Sequence, residues 1–126
     1  MKPLVIIAIL TILLIAGGCL TLYALNSEAE RLSDELSSLE EDINNQNWDS
    51  ATEKLEKFHE KWDRATTLWS MLIDHNEIDS IELVISKLVS YVRTHDKNEA
   101  LAQLSSLKAL IKHIPEKESF NLKNIF

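Results

Sequence analysis

Glycine and proline are nearly missing from this 126-residue chain, which contains two of each. Both glycines, Gly17 and Gly18, lie in one apolar stretch near the N-terminus, so the remainder of the chain has none. Tight turns and sheet hairpins depend on these residues. Their scarcity excludes a fold rich in short strands and favours long helices.

Cysteine is equally scarce, because Cys19 is the single one and it lies in the same apolar stretch. A disulfide framework is therefore excluded, and packing alone must hold the fold. Residues 16–19, Ala-Gly-Gly-Cys, are similar to a lipidation motif of bacterial lipoproteins, so a lipid-modified Cys19 stays open as an alternative. Against it, Ala16 stands where a larger aliphatic residue is preferred, and Leu20 continues the apolar stretch. A plain cysteine within a membrane helix is the favoured interpretation.

Clustered positive charge is also lacking, since the formal net charge is −7 at pH 7. An acidic chain of this kind is a poor match for nucleic acid, which requires grouped lysine and arginine. The Glu56-x-x-His59 spacing found in di-iron bundles occurs once, without the second copy that such a site needs. The chain has neither the G-x-S-x-G nucleophile elbow of hydrolases nor a glycine-rich phosphate-binding loop. We therefore predict no enzymatic activity, no cofactor and no metal.

What the chain does have is an apolar run from Leu4 to Leu25 with no charged residue. A helix of this length spans about 33 Å, close to a bilayer core of about 30 Å. A cleaved signal peptide is the alternative, but no A-x-A-like site follows the run. Lys2 precedes the run, whereas Glu28 and Glu30 follow it. This bias predicts a cytoplasmic N-terminus and an extracytoplasmic domain in the cell membrane.

Heptad patterns fill the remainder of the chain. An acidic helical stalk is predicted over 26–46, with an apolar seam that starts at Leu25 and ends at Ile43. A bundle domain is predicted over 47–126, and Pro115 is expected to end its last helix. The chain is therefore predicted to be all-α, with a transmembrane anchor over 1–25 and an antiparallel bundle of three to four helices.

Five residues are candidates for a structural role or for a partner surface: Trp48, Trp62, Trp69, His75 and Phe126. The three tryptophans stand at multiples of seven residues along one helix. This spacing is far more typical of core positions than of a ligand platform, although Trp48 at the helix start is expected to be partly exposed. The apolar C-terminal tail is expected to fold back on the bundle, with docking on a partner as the alternative.

Several short motifs resemble an uncharacterised family of small single-span helical membrane proteins from clostridia-like and related Gram-positive bacteria. They are Asn47-Trp48-Asp49, Trp62, Leu72-Ile73-Asp74-His75, residues 78–82, His113-Ile114-Pro115 and Asn124-Ile125-Phe126. The resemblance covers nearly the whole chain. It implies a membrane-anchored helical protein with no established activity, and suggests a link to the cell envelope or to sporulation.

From these patterns we expect an extracytoplasmic interaction module, an accessory subunit of another membrane protein. The alternative is a sensor or binding protein for a small ligand or a cation. It requires a pocket between helices, lined by Trp48, His59 or His75.

Overall fold

The computed structural model describes the backbone of residues 1–125 and the side chains of residues 1–116. It contains four helices: α1 (Lys2–Asn44), α2 (Trp48–Trp69), α3 (His75–Arg93) and α4 (Lys97–Ile125). The described residues form no strand. The prediction of an all-α fold, with a long apolar N-terminal helix followed by a helical bundle, is confirmed.

The apolar run forms the first half of α1 and has no protein packed around most of it. It is the one stretch among the described residues long and apolar enough to cross a membrane, and its most apolar window is fully unburied. Its two threonine hydroxyls are satisfied within the helix, since Thr11 donates to the Ile7 carbonyl at 2.8 Å and Thr21 to the Gly17 carbonyl at 2.9 Å. We call residues 4–25 the apolar segment.

The second half of α1 belongs to the bundle. Two of the acidic residues that suggested a solvated stalk form ion pairs with lysines of α2: Asp42 with Lys54 at 2.8 Å, and Glu35 with Lys61. On each helix these partners lie seven residues apart, in opposite order, which fixes an antiparallel register. The predicted seam is buried, and it contributes six residues to the common core: Leu25, Ala29, Leu32, Leu36, Leu39 and Ile43. Residues 26–44 therefore share one core with α2, α3 and α4.

Helix α4 closes the bundle by packing against both α1 and α3. Lys108 pairs with Glu40 of α1 across this interface.

The prediction that Pro115 ends the helix is wrong, because α4 runs through it to Ile125. Proline removes one backbone donor and crowds the preceding turn, but Pro115 is itself buried and lines a hollow with Ala29 of α1. We attribute the continuity of the helix to this packing. The predicted contacts of the tail lie outside the described side chains.

The bundle has two distinct ends. The near end adjoins the apolar segment and carries the turn between α2 and α3, residues 70–74. The far end carries the turns 45–47 and 94–96. Asp74 caps α3 by accepting from the Asn76 backbone N–H at 3.1 Å, and Asp96 accepts from the Glu99 backbone N–H at 3.3 Å. The second contact is the one that the capping-box spacing predicts.

Candidate functional site: the groove between α2 and α3

Two of the candidate tryptophans lie inside the bundle. Trp62 is completely buried and Trp69 is 4% exposed. Their rings meet edge to face, with centroids 5.7 Å apart and an interplanar angle of 87°, an arrangement that aromatic pairs favour. In the structure these two side chains pack the core and offer no surface to a partner.

The remaining candidates are widely separated. Trp48 is half-buried at the far end, where its ring stacks on His95 with centroids 4.9 Å apart and an interplanar angle of 1°. His75 is an exposed residue at the start of α3, at the near end. The length of α2, about 33 Å at 1.5 Å per residue, lies between them, so Trp48 and His75 cannot share a pocket. Phe126 lies outside the described residues.

A concavity runs between α2 and α3. It consists of two adjoining hollows, one of about 480 Å³ and one of about 330 Å³, which share His59, Val89 and Arg93. Its floor is apolar and its rim carries charges of both signs. The floor residues are Leu55, Ile85, Val89 and Val92, and the rim residues include Glu56, His59, Asp63, Glu82 and Arg93.

Few side-chain interactions cross this groove among the described residues; at its far end the Trp48 ring stacks on His95. No ion pair joins α2 to α3 within the described part of the chain, and two of the groove residues on α3, Ser86 and Ser90, are small. By contrast, ion pairs close the α1–α2 and α1–α4 interfaces. Leu55, Ile85 and Val92 of the floor are at most 3% exposed and Val89 is half-buried, so a partner in the groove would contact mainly Val89 and the polar rim.

Strong charge interactions lie on the closed side of α2. The Lys54 ammonium donates to Asp42, the Ser50 hydroxyl donates to the same carboxylate at 2.7 Å, and these contacts lower the pKa of Asp42. Asp42 is mostly buried, with 13% of its side chain exposed. The interaction therefore ties α1 to α2 and leaves the groove side of α2 without a comparable constraint.

The groove contains serine, histidine and aspartate, the residue types of a catalytic triad, but not the geometry. His59 Nε2 lies 3.7 Å from Asp63 Oδ1 on the exposed surface of α2, and no hydrogen bond joins Ser86 to His59 in the described residues. Nucleophilic catalysis requires that contact and backbone donors for an oxyanion. The mid-helix backbone N–H groups here are already used within α2 and α3. Among the described residues, no three potential ligands meet as a metal site.

Sequence reasoning did not single out Ser86, Val89 or Arg93 as site residues. One signal was present, since Val84 and Val89 extend the apolar face of α3 beyond its main seam. Val89 is half-buried, packed beside the core, and faces the groove. An apolar face wider than one partner helix can cover indicates a surface available to a second partner.

Comparison with known proteins gives a family but no activity. A family model described as "Domain of unknown function (DUF4363)" matches residues 19–125. The match therefore includes the end of the apolar segment and the whole bundle. No curated protein matches the chain, and no solved structure matches it. The predicted resemblance to an uncharacterised family is confirmed at this level.

Proposed function

We propose that this chain, which belongs to the DUF4363 family of unknown function, is a membrane-anchored, non-enzymatic interaction module. It holds a segment of another membrane protein in the groove between α2 and α3 and so acts as an accessory subunit. The open groove is the single observation that supports this proposal most directly.

Anchoring is supported by the apolar segment. Its large side chains are exposed, as at Leu4 (70%) and Leu14 (65%). A continuous apolar surface of this extent is unfavourable in water, whereas a helix satisfies its own backbone groups in lipid. The charges of Lys2, Glu28 and Glu30 favour a cytoplasmic N-terminus. The resemblance noted above adds the cell envelope of Gram-positive bacteria as the proposed setting, with sporulation as one context.

The groove suits a helical or extended segment with one apolar row. An apolar floor between charged rims is the arrangement used in helix-in-groove recognition. From Asp63 to Thr52 the groove follows α2 for about 16 Å, which corresponds to about three helical turns. Aspartate, glutamate and arginine on the rim would orient such a segment by charge.

The height of the groove above the proposed membrane limits the partner. The Glu35–Lys61 and Asp42–Lys54 pairs align α2 with α1. From that register the groove lies about 12 to 28 Å beyond Leu25, at 1.5 Å per residue. Extracytoplasmic loops and the helical extensions of membrane spans occupy this zone. A neighbouring membrane protein is therefore the partner that the position favours.

A photo-crosslinking experiment tests the proposal. Benzoylphenylalanine is placed at Ser86, which lines the groove, or at Ser105, an exposed serine on α4 outside it. We expect irradiation of native membranes to give one crosslinked product of defined mass from Ser86 and little from Ser105. Mass spectrometry would then identify the partner. Equal products from both positions, or none from Ser86 in a membrane-inserted protein, would refute the groove as the partner site.

A further inference from the structure

Three large apolar side chains are exposed at the near end of the bundle. Leu68, in the last turn of α2, is 69% exposed, and Met71 and Leu72 in the following turn are 83% and 46% exposed. In residues 26–116, Leu83 is the one other large apolar residue in this class, at 58%. Within residues 26–116, the exposed apolar surface is therefore concentrated in this turn, which we call the apolar turn (Leu68, Met71 and Leu72).

The register of the helices fixes the height of the apolar turn. Leu68 lines a hollow with Glu28 and Arg31 of α1, one heptad beyond the Glu35–Lys61 pair. Met71 lies in the turn directly beyond the end of α2. It therefore stands near the level of Leu25, the last residue of the apolar segment. Because α1 is one unbroken helix between these levels, no hinge separates the bundle from the segment.

We propose that the apolar turn inserts into the lipid interface beside the membrane span, so that the bundle has a second point of attachment. This inference rests on the proposed anchoring by α1. Wherever the apolar segment occupies a bilayer, Met71 lies at the level where hydrocarbon gives way to headgroups. Amphipathic surfaces at that level bind by burying apolar side chains at the acyl boundary.

The charges around the apolar turn are compatible with this position. Arg64 and Arg31 line the hollow next to Leu68 and stand at the height expected for lipid phosphates. Two of the acidic groups near this level have partners within the protein, since Glu28 lies 4.0 Å from Arg31 and Asp74 caps α3.

Spin-label accessibility in a bilayer tests the proposal. The full chain carrying Cys19→Ser is reconstituted at low protein density into vesicles of phosphatidylcholine and phosphatidylglycerol. A nitroxide is attached at one of three exposed positions: Met71→Cys in the turn, Leu83→Cys higher on the bundle, or Leu13→Cys in the apolar segment. Collision with oxygen, which partitions into lipid, is compared with collision with a water-soluble nickel chelate. We expect an oxygen-to-nickel ratio about threefold or more higher at Met71 than at Leu83, as for a side chain at the acyl boundary.

The three positions separate the possible outcomes. A lipid-like ratio at Leu13 with a water-like ratio at Met71 would overturn the lipid contact and leave the anchoring intact. A water-like ratio at Leu13 would overturn the anchoring itself. Spin–spin broadening at Met71 would show that the turn pairs with a second copy, which also overturns the proposal. Far-UV circular dichroism confirms that each variant keeps its helical content.

Discussion

The indole of Trp62 fills the centre of the bundle, yet its Nε1 atom has no hydrogen-bond partner among the described residues. Trp62→Ala is expected to lower the free energy of unfolding by about 3–5 kcal/mol, because it leaves a large cavity. Trp62→Phe keeps most of the ring and removes the unpaired N–H, whose burial costs about 1–3 kcal/mol. It should therefore be clearly milder. Urea unfolding of the full chain in mild detergent, followed by circular dichroism, measures both. Equal losses would show that the indole N–H is satisfied in solution.

Asp42 predicts how stability depends on pH. Its pKa is lowered in the folded state by the hydrogen bond from Lys54 and then by that from Ser50. A carboxyl group with a lowered folded pKa stabilises the fold fully above its unfolded pKa of about 3.9, and this contribution is lost as the pH falls through the folded pKa. Asp42→Asn should therefore be less stable than the natural chain at pH 7. The difference should shrink towards zero on acidification below about pH 3.

A matched control for Asp42 is the nearby exposed Glu41. Glu41→Gln is expected to change the midpoint of thermal unfolding little at any pH, because an exposed carboxylate contributes little to stability. A stability difference for Asp42→Asn that stays constant from pH 7 to pH 3 would contradict the charge-based explanation.

At the scale of elements, the two far-end turns both contain a non-glycine residue with positive φ: Gln46 at 56° and His95 at 57°. This left-handed conformation costs an L-residue about 1–2 kcal/mol, and glycine avoids the cost. Because Gln46 is exposed, we expect Gln46→Gly to raise the free energy of unfolding by up to about 1 kcal/mol. Asn45→Gly, at a φ of −84°, is the control and should destabilise by a few tenths to about 1 kcal/mol. Chemical denaturation compares the free energies of unfolding of the two variants. Destabilisation by both substitutions would argue against strain at Gln46.

Helix boundaries show what the sequence could and could not predict. The polar run after Ile43 and the capping residues Asp74 and Asp96 correctly indicated the breaks between helices. The prediction at Pro115 was wrong because the sequence shows only the local cost of proline within a helix. The burial of Pro115 against α1 arises only in the folded bundle. Helical propensity continues from the apolar segment into the bundle half of α1, so the change in composition after Leu25 is the sequence signal that separates the two.

At the scale of the whole molecule, apolar seams show which face of each helix is buried but not which helix covers it. The pairing of α1 with α2 was nevertheless encoded in charge, because Glu35 and Asp42 share the seven-residue spacing of Lys54 and Lys61. The groove could not be predicted in the same way. It is a space left between α2 and α3, and such a space becomes visible only once the helices are arranged.

Because α1 is unbroken, the bundle would move as a rigid body with the proposed membrane span, and a small tilt of the span would displace the far end. About 29 Å of this helix extends from Leu25 to Asn44 at 1.5 Å per residue. A span that tilts by about 20°, which is typical of membrane helices, would displace the far end sideways by about 10 Å. Bilayer thickness would thereby set the lateral position of the groove. Because Met71 lies on one side of α1 only, tilting away from that side would withdraw Met71 from the bilayer, so its contact with lipid would oppose that motion and the bundle would lean preferentially towards the Met71 side.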